Sequence, residues 1–401
     1  MIPFSYVIGN SSVRKSYNKN CFARIALWWS RKSCLCNPLQ AENVASDILL
    51  CGFCESRIEV KKMKQGLQVG NQSLSFQKPV YIMSSACICG PKEGEGPLKD
   101  TFDEIVEDAT LGKESWEEGE SEMMRRTVAL AIRKAKIKTE DVRYLFAGDL
   151  LGQLIATTFG LKDFEIPLFG LYGACSTMGE ALSLGAMTIN AGYANNVVSV
   201  ASSHFASAEK QFRFPLEYGN QRPMSSTWTV TGCGAFVLSD KEGDALITGI
   251  TTGKVVDYGV KDSSNMGACM APAAADVIYH HLKDFDCQPS EYDKIVTGDL
   301  GIVGKEILCK LMLDQGYDIS KVHMDCGMEI YDDPEQDTHA GGSGCGCSAV
   351  TLAGKLMKEL KDGTLNKILF VPTGALMSTV SYNEGQSVPG IAHAVVIEAK
   401  R

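Results

Sequence analysis

The strongest constraint on the fold of this chain is an internal repeat, in which one αβ unit recurs about 150 residues later. The segment R-Y-L-F-A-G-D-L at 143–150 returns as K-I-V-T-G-D-L at 294–300. G-A-C-S at 173–176, with its helix and the strand N-N-V-V-S-V-A-S-S, matches G-C-S at 346–348 and a later L-N-K-I-L-F-V-P-T-G. Because strands alternate with helices, the pattern predicts parallel sheets with helices on both faces, built twice.

The chain length fits a duplication, since 401 residues exceed the usual size of one hydrophobic core. We place the first half at 63–241 and the second at 242–401. Residues 1–62 differ in composition, with nine Lys or Arg against four Asp or Glu. We interpret 1–62 as a basic extension that is disordered or a start-site artefact, with Met63 as the natural start.

Composition excludes several classes of protein. A net charge of -9 argues against nucleic acid as a partner, because phosphate binding needs a basic surface. The fifteen cysteines form no disulfide framework and follow no secretory signal, which indicates a reducing compartment. A zinc site at Cys34-x-Cys36 and Cys51-x-x-Cys54 is an alternative, but its spacing is not standard. No apolar run approaches the roughly eighteen residues that cross a bilayer, so membrane association requires a partner.

Cys175 occupies the most distinctive position in the repeat. The apolar run 164–171 predicts a buried strand, 172–174 a tight turn and 177–190 a helix with small residues on one face. Cys175 therefore lies at a strand-to-helix corner, where free amides and the helix dipole favour a thiolate, an oxyanion or a bound carboxylate. Alternatively, it is a small core residue.

Several polar residues follow strands of this pattern. Ligands of such sheets bind beyond the carboxyl ends of the strands, where we expect a central pocket between the halves that gathers Asp149, Cys175, Ser203, His204, Asp299 and Cys347. Each aspartate could instead cap the helix that follows it. His393 lies in a strand pattern typical of a core histidine.

The repeat, the Cys175 corner and T-G-C-G-A-F-V-L-S at 231–239 resemble the thiolase and ketoacyl synthase superfamily. That resemblance implies five layers, αβαβα, from two duplicated halves, with the nucleophilic cysteine of the superfamily at Cys175. F-G-L-Y-G-A-C-S-T, N-M-G-A-C-M-A-P-A-A-A-D at 265–276 and H-A-G-G-S-G-C-G-C-S-A-V narrow it to the stage V sporulation protein AD family of spore-forming Firmicutes. The narrower resemblance covers residues 66–399.

The resemblance implies a protein that binds dipicolinic acid and helps to load it into the developing spore, together with membrane proteins of the same sporulation operon. It places the chain at the cytoplasmic face of the spore inner membrane, held there by partners, and implies a homodimer formed at the edge of the first-half sheet. We expect no cofactor and no metal site. Whether calcium accompanies the ligand is left open.

Two alternatives remain beside the binding function. Claisen-type thiolases use a histidine in a G-H-P motif and a second cysteine near the C-terminus, and neither occurs here, so acid-base partners for a thiolate are missing. We therefore expect no turnover. The first alternative is an acyltransferase with Cys175 as nucleophile. The second is a structural adaptor for a membrane channel, which would have no affinity for a small molecule.

A site for dipicolinate needs amide donors, a cation and an apolar slot for its ring. We expect the amides of Ser176 and Thr177 to supply the donors. Arg213 is preferred over Lys210 as the cation, because a guanidinium binds a carboxylate with paired hydrogen bonds. Either could instead form an ordinary surface ion pair. Candidates for the slot are Phe169, Phe205 and Met266.

Overall fold

The computed structural model of the protein describes residues 67–212, 222–332 and 335–401. The predictions for 1–62, including the cysteine pairs and Met63, lie outside the described residues, as does Arg213. Within the described part, no helix is both long and apolar enough to cross a membrane.

The first half contains β-strands and α-helices in alternation. In chain order these elements are β1 (Ser73–Cys89), α1 (Trp116–Lys134), β2 (Tyr144–Asp149), α2 (Ile155–Leu161), β3 (Leu168–Gly170), α3 (Thr177–Asn190), β4 (Asn196–Ser203), α4 (Phe205–Phe212) and β5 (Gly232–Ser239). The strands are ordered β3-β2-β4-β5-β1 across the sheet. β2 runs parallel to β3 and β4, whereas β5 is antiparallel to both of its neighbours.

The second half repeats this arrangement. Its elements are β6 (Ala245–Thr251), α5 (Met266–Asp284), β7 (Lys294–Thr297), α6 (Gly301–Asp314), β8 (His323–Asp325), α7 (Cys326–Ile330), α8 (Cys345–Thr351), α9 (Met357–Asp362), β9 (Lys367–Val371) and β10 (Ala394–Ala399). The strand order is β8-β7-β9-β10-β6. β7 is parallel to β8 and β9, and β10 is antiparallel to both neighbours. Since both halves share one topology, the predicted duplication is confirmed.

Strand β1 joins the two halves. Its first part pairs with β6 through Ser73–Ser75 and Val80–Ile82, and its second part pairs with β5 from Tyr81 to Cys89. All ten strands therefore belong to one continuous ladder. Register shifts follow Ser75 and Ile82, and such irregularities bend a strand. The boundary proposed at residue 241 falls in the loop between β5 and β6.

The hydrophobic cores follow the expected layers. Helix α1 packs on the outer side of the first-half strands, where Met123 and Val128 are buried. Helices α3 and α8 lie in the core that includes strands of both halves, with Met178 and Val350 buried there. Helices α5 and α6 cover the outer side of the second-half strands. Helix, sheet, helix, sheet and helix thus follow one another, as in the thiolase-like fold.

Short elements complete the described part. These are strands Gln68–Val69, Glu104–Ile105, Trp228–Thr229, Gly342–Ser343, Thr373–Ala375 and Gly390–Ala392, the α-helix Thr379–Asn383, 3-10 turns Glu93–Glu95, Lys99–Thr101, Thr139–Asp141, Lys162–Phe164 and Pro289–Glu291, and a π-helical segment Leu352–Leu356 that joins α8 to α9.

The prediction of a buried strand over 164–171 is wrong. Only Leu168–Gly170 forms β3, and all of its residues are exposed. A 3-10 turn ends at Phe164, and Glu165 takes a left-handed φ of 55° that interrupts an extended run. The apolar residues of β3 therefore lie exposed at the edge of the sheet and are not part of a buried strand.

Candidate functional site

A cleft between the two halves opens above Cys175. Its volume is about 100 Å³, which corresponds to roughly three water molecules at the density of the liquid. Its walls come from both halves and are formed by Leu150, Tyr172, Ala174, Cys175, Glu209, Thr227, Thr229, Ser263, Ser264, Met266, Asp299, Ser343, Gly344, Ala375 and Met377. The expected central pocket at the carboxyl ends of the strands is therefore present in the described part.

Cys175 lies at the predicted corner, directly before α3. Ala174 takes a left-handed φ of 49°, an uncommon conformation for a residue with a Cβ, and this turns the chain so that the half-buried thiol reaches the cleft. Burial raises the pKa of the Cys175 thiol well above its usual value, and the charge of Asp299 raises it further. The backbone amide of Gly344 acts in the opposite direction. The resting group is therefore a thiol.

The amides after Cys175 do not serve as the sequence predicted. The Ser176 amide donates to the Gly173 carbonyl (3.0 Å), and the Thr177 amide donates to the Ala174 carbonyl (3.3 Å). Their hydroxyl groups donate to the same carbonyls, and both residues are fully buried. Because the turn itself uses these donors, the expected amide contribution is corrected: they hold the corner in place below the cleft.

Asp299 forms part of the cleft wall just after β7. Its carboxyl group accepts hydrogen bonds from the Thr373 hydroxyl (2.8 Å) and the Gly344 amide (3.1 Å), and it also interacts with the Cys175 thiol. Burial raises the pKa of Asp299 to about 7, and the charge of Asp325 adds to the increase. Asp299 is thus a carboxyl group that titrates near neutrality beside the thiol.

Asp149, the counterpart of Asp299 in the repeat, does not line the cleft. Its carboxylate accepts from the Leu151 amide (3.1 Å), the Thr157 amide (2.9 Å) and the Thr157 hydroxyl (2.7 Å). These bonds hold the start of α2, so Asp149 has the helix-capping role that was the alternative to ligand binding. Asp325 does the same for α6 by accepting from the amides of Leu300 and Gly301.

Three further predicted site residues are buried behind the cleft wall. Ser203 donates its hydroxyl to the Val230 carbonyl (2.7 Å) and accepts from the Gly346 amide. His204 contacts the Ala109 carbonyl through Nε2 (3.0 Å) and accepts from the Ala206 amide at Nδ1. The Cys347 thiol is fully buried and donates to the Gly298 carbonyl (3.4 Å). None of them is among the residues that line the cleft.

The residues expected to form the apolar slot and the cation lie in different places. Met266 lines the cleft. Phe169 is half exposed on β3 and stacks on Phe146 at 5.2 Å. Phe205 stacks on Trp228, with ring centroids 3.8 Å apart. Lys210 forms an ion pair with Glu117.

Several lining residues were not predicted. Thr227 and Thr229 line the cleft while Trp228 between them stacks on Phe205, an alternation typical of a strand. Gly344 has a φ of 95°, and a Cβ there would lie 2.6 Å from the Ser203 hydroxyl oxygen, so this position requires a glycine. The glycine-rich run around it was the available signal. No sequence pattern around Glu209 predicted that it lines the cleft.

Comparison with known proteins shows which family the chain belongs to. Residues 70–398 match the sequence profile of Stage V sporulation protein AD (SpoVAD). The chain belongs to the SpoVAD family. A SpoVAD relative, Stage V sporulation protein AD of Bacillus subtilis (strain 168), is 41% identical over 329 residues, which cover 82% of this chain and 97% of the relative. As a member of the SpoVAD family, the chain is a sporulation protein.

Solved structures with little sequence similarity to this SpoVAD family member share its fold. ChlB3, an acyltransferase, aligns with a TM-score of 0.50 and 13% identity over 80% of this chain and 98% of its own. AbyA1, a tetronic acid condensing enzyme, aligns with a TM-score of 0.50 and 15% identity over 80% and 100%. At such identities the likeness supports the thiolase-like fold alone.

Proposed function

We propose that this sporulation protein binds dipicolinic acid in the cleft above Cys175 and supports its uptake into the developing spore, without turnover. The observation that carries the proposal is the pairing inside the cleft: the Cys175 thiol meets the Asp299 carboxyl group, and no described histidine lines the cleft. Such a site can hold a ligand, and its described lining residues do not include the cysteine–histidine pair that is typical of acyl transfer.

Acyl transfer through a cysteine requires a thiolate and a base that moves protons. The raised pKa of Cys175 keeps the thiol protonated. Both ring nitrogens of His204 have backbone partners. His393 accepts from the Gly253 amide, and burial lowers its pKa to about 4. Neither histidine lines the cleft, which favours binding over catalysis.

The cleft suits a small planar dicarboxylic acid. Leu150, Met266 and Met377 offer apolar surface for a ring, whereas Thr229 and Ser343 bring hydroxyl groups. A site of this kind, mainly apolar with a few placed polar groups, is typical of small-molecule binding. Asp299 is a charged side chain of the described wall, and protonation or calcium carried with the ligand would balance the negative charge beside it.

The proposal is tested by calorimetric titration of dipicolinic acid into the full chain at about pH 6.5, with and without calcium. Pyridine-3,5-dicarboxylate is the geometric control, because its carboxyl groups cannot face the ring nitrogen. We expect saturable binding of the 2,6 isomer alone. If calcium must accompany the ligand, binding appears only in the calcium arm. No heat in any arm would refute the binding function.

Cys175→Ala separates binding from catalysis. We expect the variant to bind dipicolinic acid more weakly, because the thiol belongs to the wall, and wild-type protein to remain unmodified after incubation with acyl-coenzyme A. Intact mass spectrometry measures that modification. A stable acyl adduct on wild type that is absent from Cys175→Ala would instead support the acyltransferase alternative.

We further propose that the chain acts at the cytoplasmic face of the spore inner membrane, recruited by membrane proteins of the same sporulation operon. The sporulation role of the family supports a place in the developing spore. Flotation with lipid vesicles is the test. The chain should float only with vesicles that contain those membrane proteins, and flotation with bare vesicles would contradict recruitment.

A homodimer is also part of the proposal. The edges of the sheet differ: all three residues of β3 at the first-half edge are exposed, whereas all three residues of β8 at the other edge are buried. An exposed apolar edge strand is a ready surface for pairing with another chain. The exposed Leu168 and Phe169 make β3 the candidate edge for a second copy.

A further inference from the structure

The carboxyl group of Asp299 belongs to the wall of the cleft in which we place the ligand. Asp299 is fully buried yet forms part of the cleft wall. Its described partners are the Thr373 hydroxyl, the Gly344 amide and the Cys175 thiol. None of these is a cation, and no Lys or Arg of the described residues forms an ion pair with Asp299. An anionic ligand would therefore enter beside an uncompensated carboxyl group.

The other titratable groups around Asp299 do not offset that charge. Cys175 at the start of α3 and Cys347 in α8 are thiols kept neutral by burial. Asp325 at the end of β8 is a second carboxyl group and raises the pKa of Asp299. Across the cleft, Tyr172 and Glu209 belong to the same wall. The described titratable groups that act on the charge of Asp299 are therefore neutral or acidic.

A dianion and an ionised aspartate in one buried cleft repel each other strongly, because the local dielectric is low. A carboxylic acid beside a carboxylate instead forms a short, charge-assisted hydrogen bond. We propose that dipicolinate binds against Asp299 in its carboxylic acid form, so that each ligand enters together with one proton. This inference rests on the proposed function and names the group that couples binding to pH.

The proton balance is simple. When Asp299 starts ionised, one proton from solvent adds to a carboxylate oxygen as the ligand binds, and it leaves when the ligand leaves. Burial already raises the pKa of Asp299 to about 7, so protonation at neutral pH costs little. The neutral acid keeps the Thr373 and Gly344 hydrogen bonds on its acceptor lone pairs and can direct its O–H toward the ligand.

The first test measures protons bound per ligand. Dipicolinic acid is titrated into the full chain by calorimetry in phosphate and in Tris, whose ionisation enthalpies differ, at about pH 6 and about pH 8. We expect uptake of nearly one proton per ligand at the higher pH and nearly none at the lower. The Kd should rise by up to about tenfold per pH unit above pH 7.

Asp299→Asn assigns the proton. The carboxamide is neutral at every pH and has nearly the same shape, so it should bind with a Kd that is independent of pH and without proton uptake. Asp244→Asn is the matched control: Asp244 is a partly exposed carboxylate that pairs with Lys361, and its replacement should leave the proton count and its pH dependence as in the wild type.

Thr373→Val provides a second test that keeps Asp299 in place, in case Asp299→Asn does not fold. Removing the hydroxyl donor disfavours the ionised carboxylate, so the midpoint of the pH dependence should move to higher pH. Binding without proton uptake in the wild type, or an unmoved midpoint in Thr373→Val, would overturn the inference and leave the binding function intact. Absence of wild-type binding at pH 6, both with and without calcium, would refute the binding function itself.

Discussion

Asp149 and Asp299 occupy corresponding positions in the repeat, yet their carboxyl groups have different partners. Asp149 accepts three hydrogen bonds at the start of α2. In the second half, Asp325 at the end of β8 holds the start of α6, which leaves Asp299 to face the cleft. The repeat predicted both aspartates equally well, but only tertiary contacts decide which one is structural.

Asp149→Ala should therefore lower the stability of the fold. The change removes a buried acceptor from the amides of Leu151 and Thr157, and unpaired buried donors cost about 1 to 3 kcal/mol each. Urea unfolding measures the loss. The affinity of the folded variant for dipicolinic acid should stay within about twofold of wild type, because Asp149 does not line the cleft. Lost binding with unchanged stability would place Asp149 in the ligand site instead.

Glu120 is a second buried carboxyl group with a consequence for stability. Burial, reinforced by the charge of Asp149, raises the pKa of Glu120 to about 8. The hydroxyls of Ser202 and Ser207 donate to its oxygens at 2.8 and 2.9 Å. Between its usual value of 4.5 and about 8, the folded protein holds this proton and the unfolded chain has released it. This contribution to stability is complete at low pH and is lost as the pH rises through 8.

Glu120→Gln should remove that pH dependence, since a carboxamide does not titrate. The melting temperature of the wild type should fall from pH 5 to pH 8 more steeply than that of the variant, as measured by differential scanning fluorimetry. Glu140→Gln is a suitable control because Glu140 is an exposed partner of Lys138. Equal slopes in Glu120→Gln and the wild type would show that Glu120 is ionised in the fold.

At the scale of elements, the strand Thr373–Ala375 supports the corner that carries Cys175. A Cβ on Gly374 would lie 2.2 Å from the Gly173 carbonyl oxygen and 3.3 Å from the Cys175 amide nitrogen. Both neighbours are backbone atoms, which move only with the turn itself. Strand and corner therefore fit together only because residue 374 lacks a side chain.

Gly374→Ala should displace the corner and weaken dipicolinic acid binding at least tenfold. Overpacking of this kind also costs about 1 to 3 kcal/mol of stability, so calorimetry and urea unfolding should both respond. Gly152→Ala is the matched control, because its Cβ would make ordinary contacts with Tyr172, the nearest at 3.5 Å. Full affinity in Gly374→Ala would mean that the corner is not fixed by this strand.

The sequence predicted the type of most elements better than their surroundings. The helix after Cys175 was expected over 177–190 and has those bounds, because its small residues and flanking turn give a clear local signal. The apolar run before Cys175 predicted a buried strand, but β3 is short and exposed. Burial depends on which neighbour covers an edge, and no local pattern encodes that.

At the scale of the whole molecule, the duplication was predictable because the repeat appears in the sequence. The junction between the halves was not predictable. β1 pairs with strands of both halves, and no pattern in its residues predicts a second partner strand. The cleft was predicted as a location, yet Asp149, Ser203, His204 and Cys347 lie behind its wall. Position after a strand brings a residue near the site, whereas its hydrogen bonds decide whether it faces the ligand.

The exposed edge of the sheet leads to a prediction about assembly. Phe169 of β3 stacks on Phe146 and contacts Tyr144 edge-on at 5.6 Å, and it remains 51% exposed at the edge of the sheet. In a homodimer formed there, Phe169→Lys would place like charges opposite each other across the two copies. We expect the variant to elute as a monomer in light-scattering chromatography and the wild type as a dimer.

Tyr258→Lys serves as the control for this experiment. Tyr258 is 67% exposed, which is more than the 51% of Phe169, but it lies in the second half, in the chain between β6 and α5. It should remain dimeric if the first-half edge forms the interface. Dissociation by Tyr258→Lys alone would move the interface to the second half, and a monomeric wild type would show that β3 is tolerated as a free edge. β3 is only three residues long, and a short edge strand is itself a known protection against unwanted pairing. The molar mass of the wild type therefore shows, before any variant is made, whether the protein is a dimer or a monomer with β3 as a free edge.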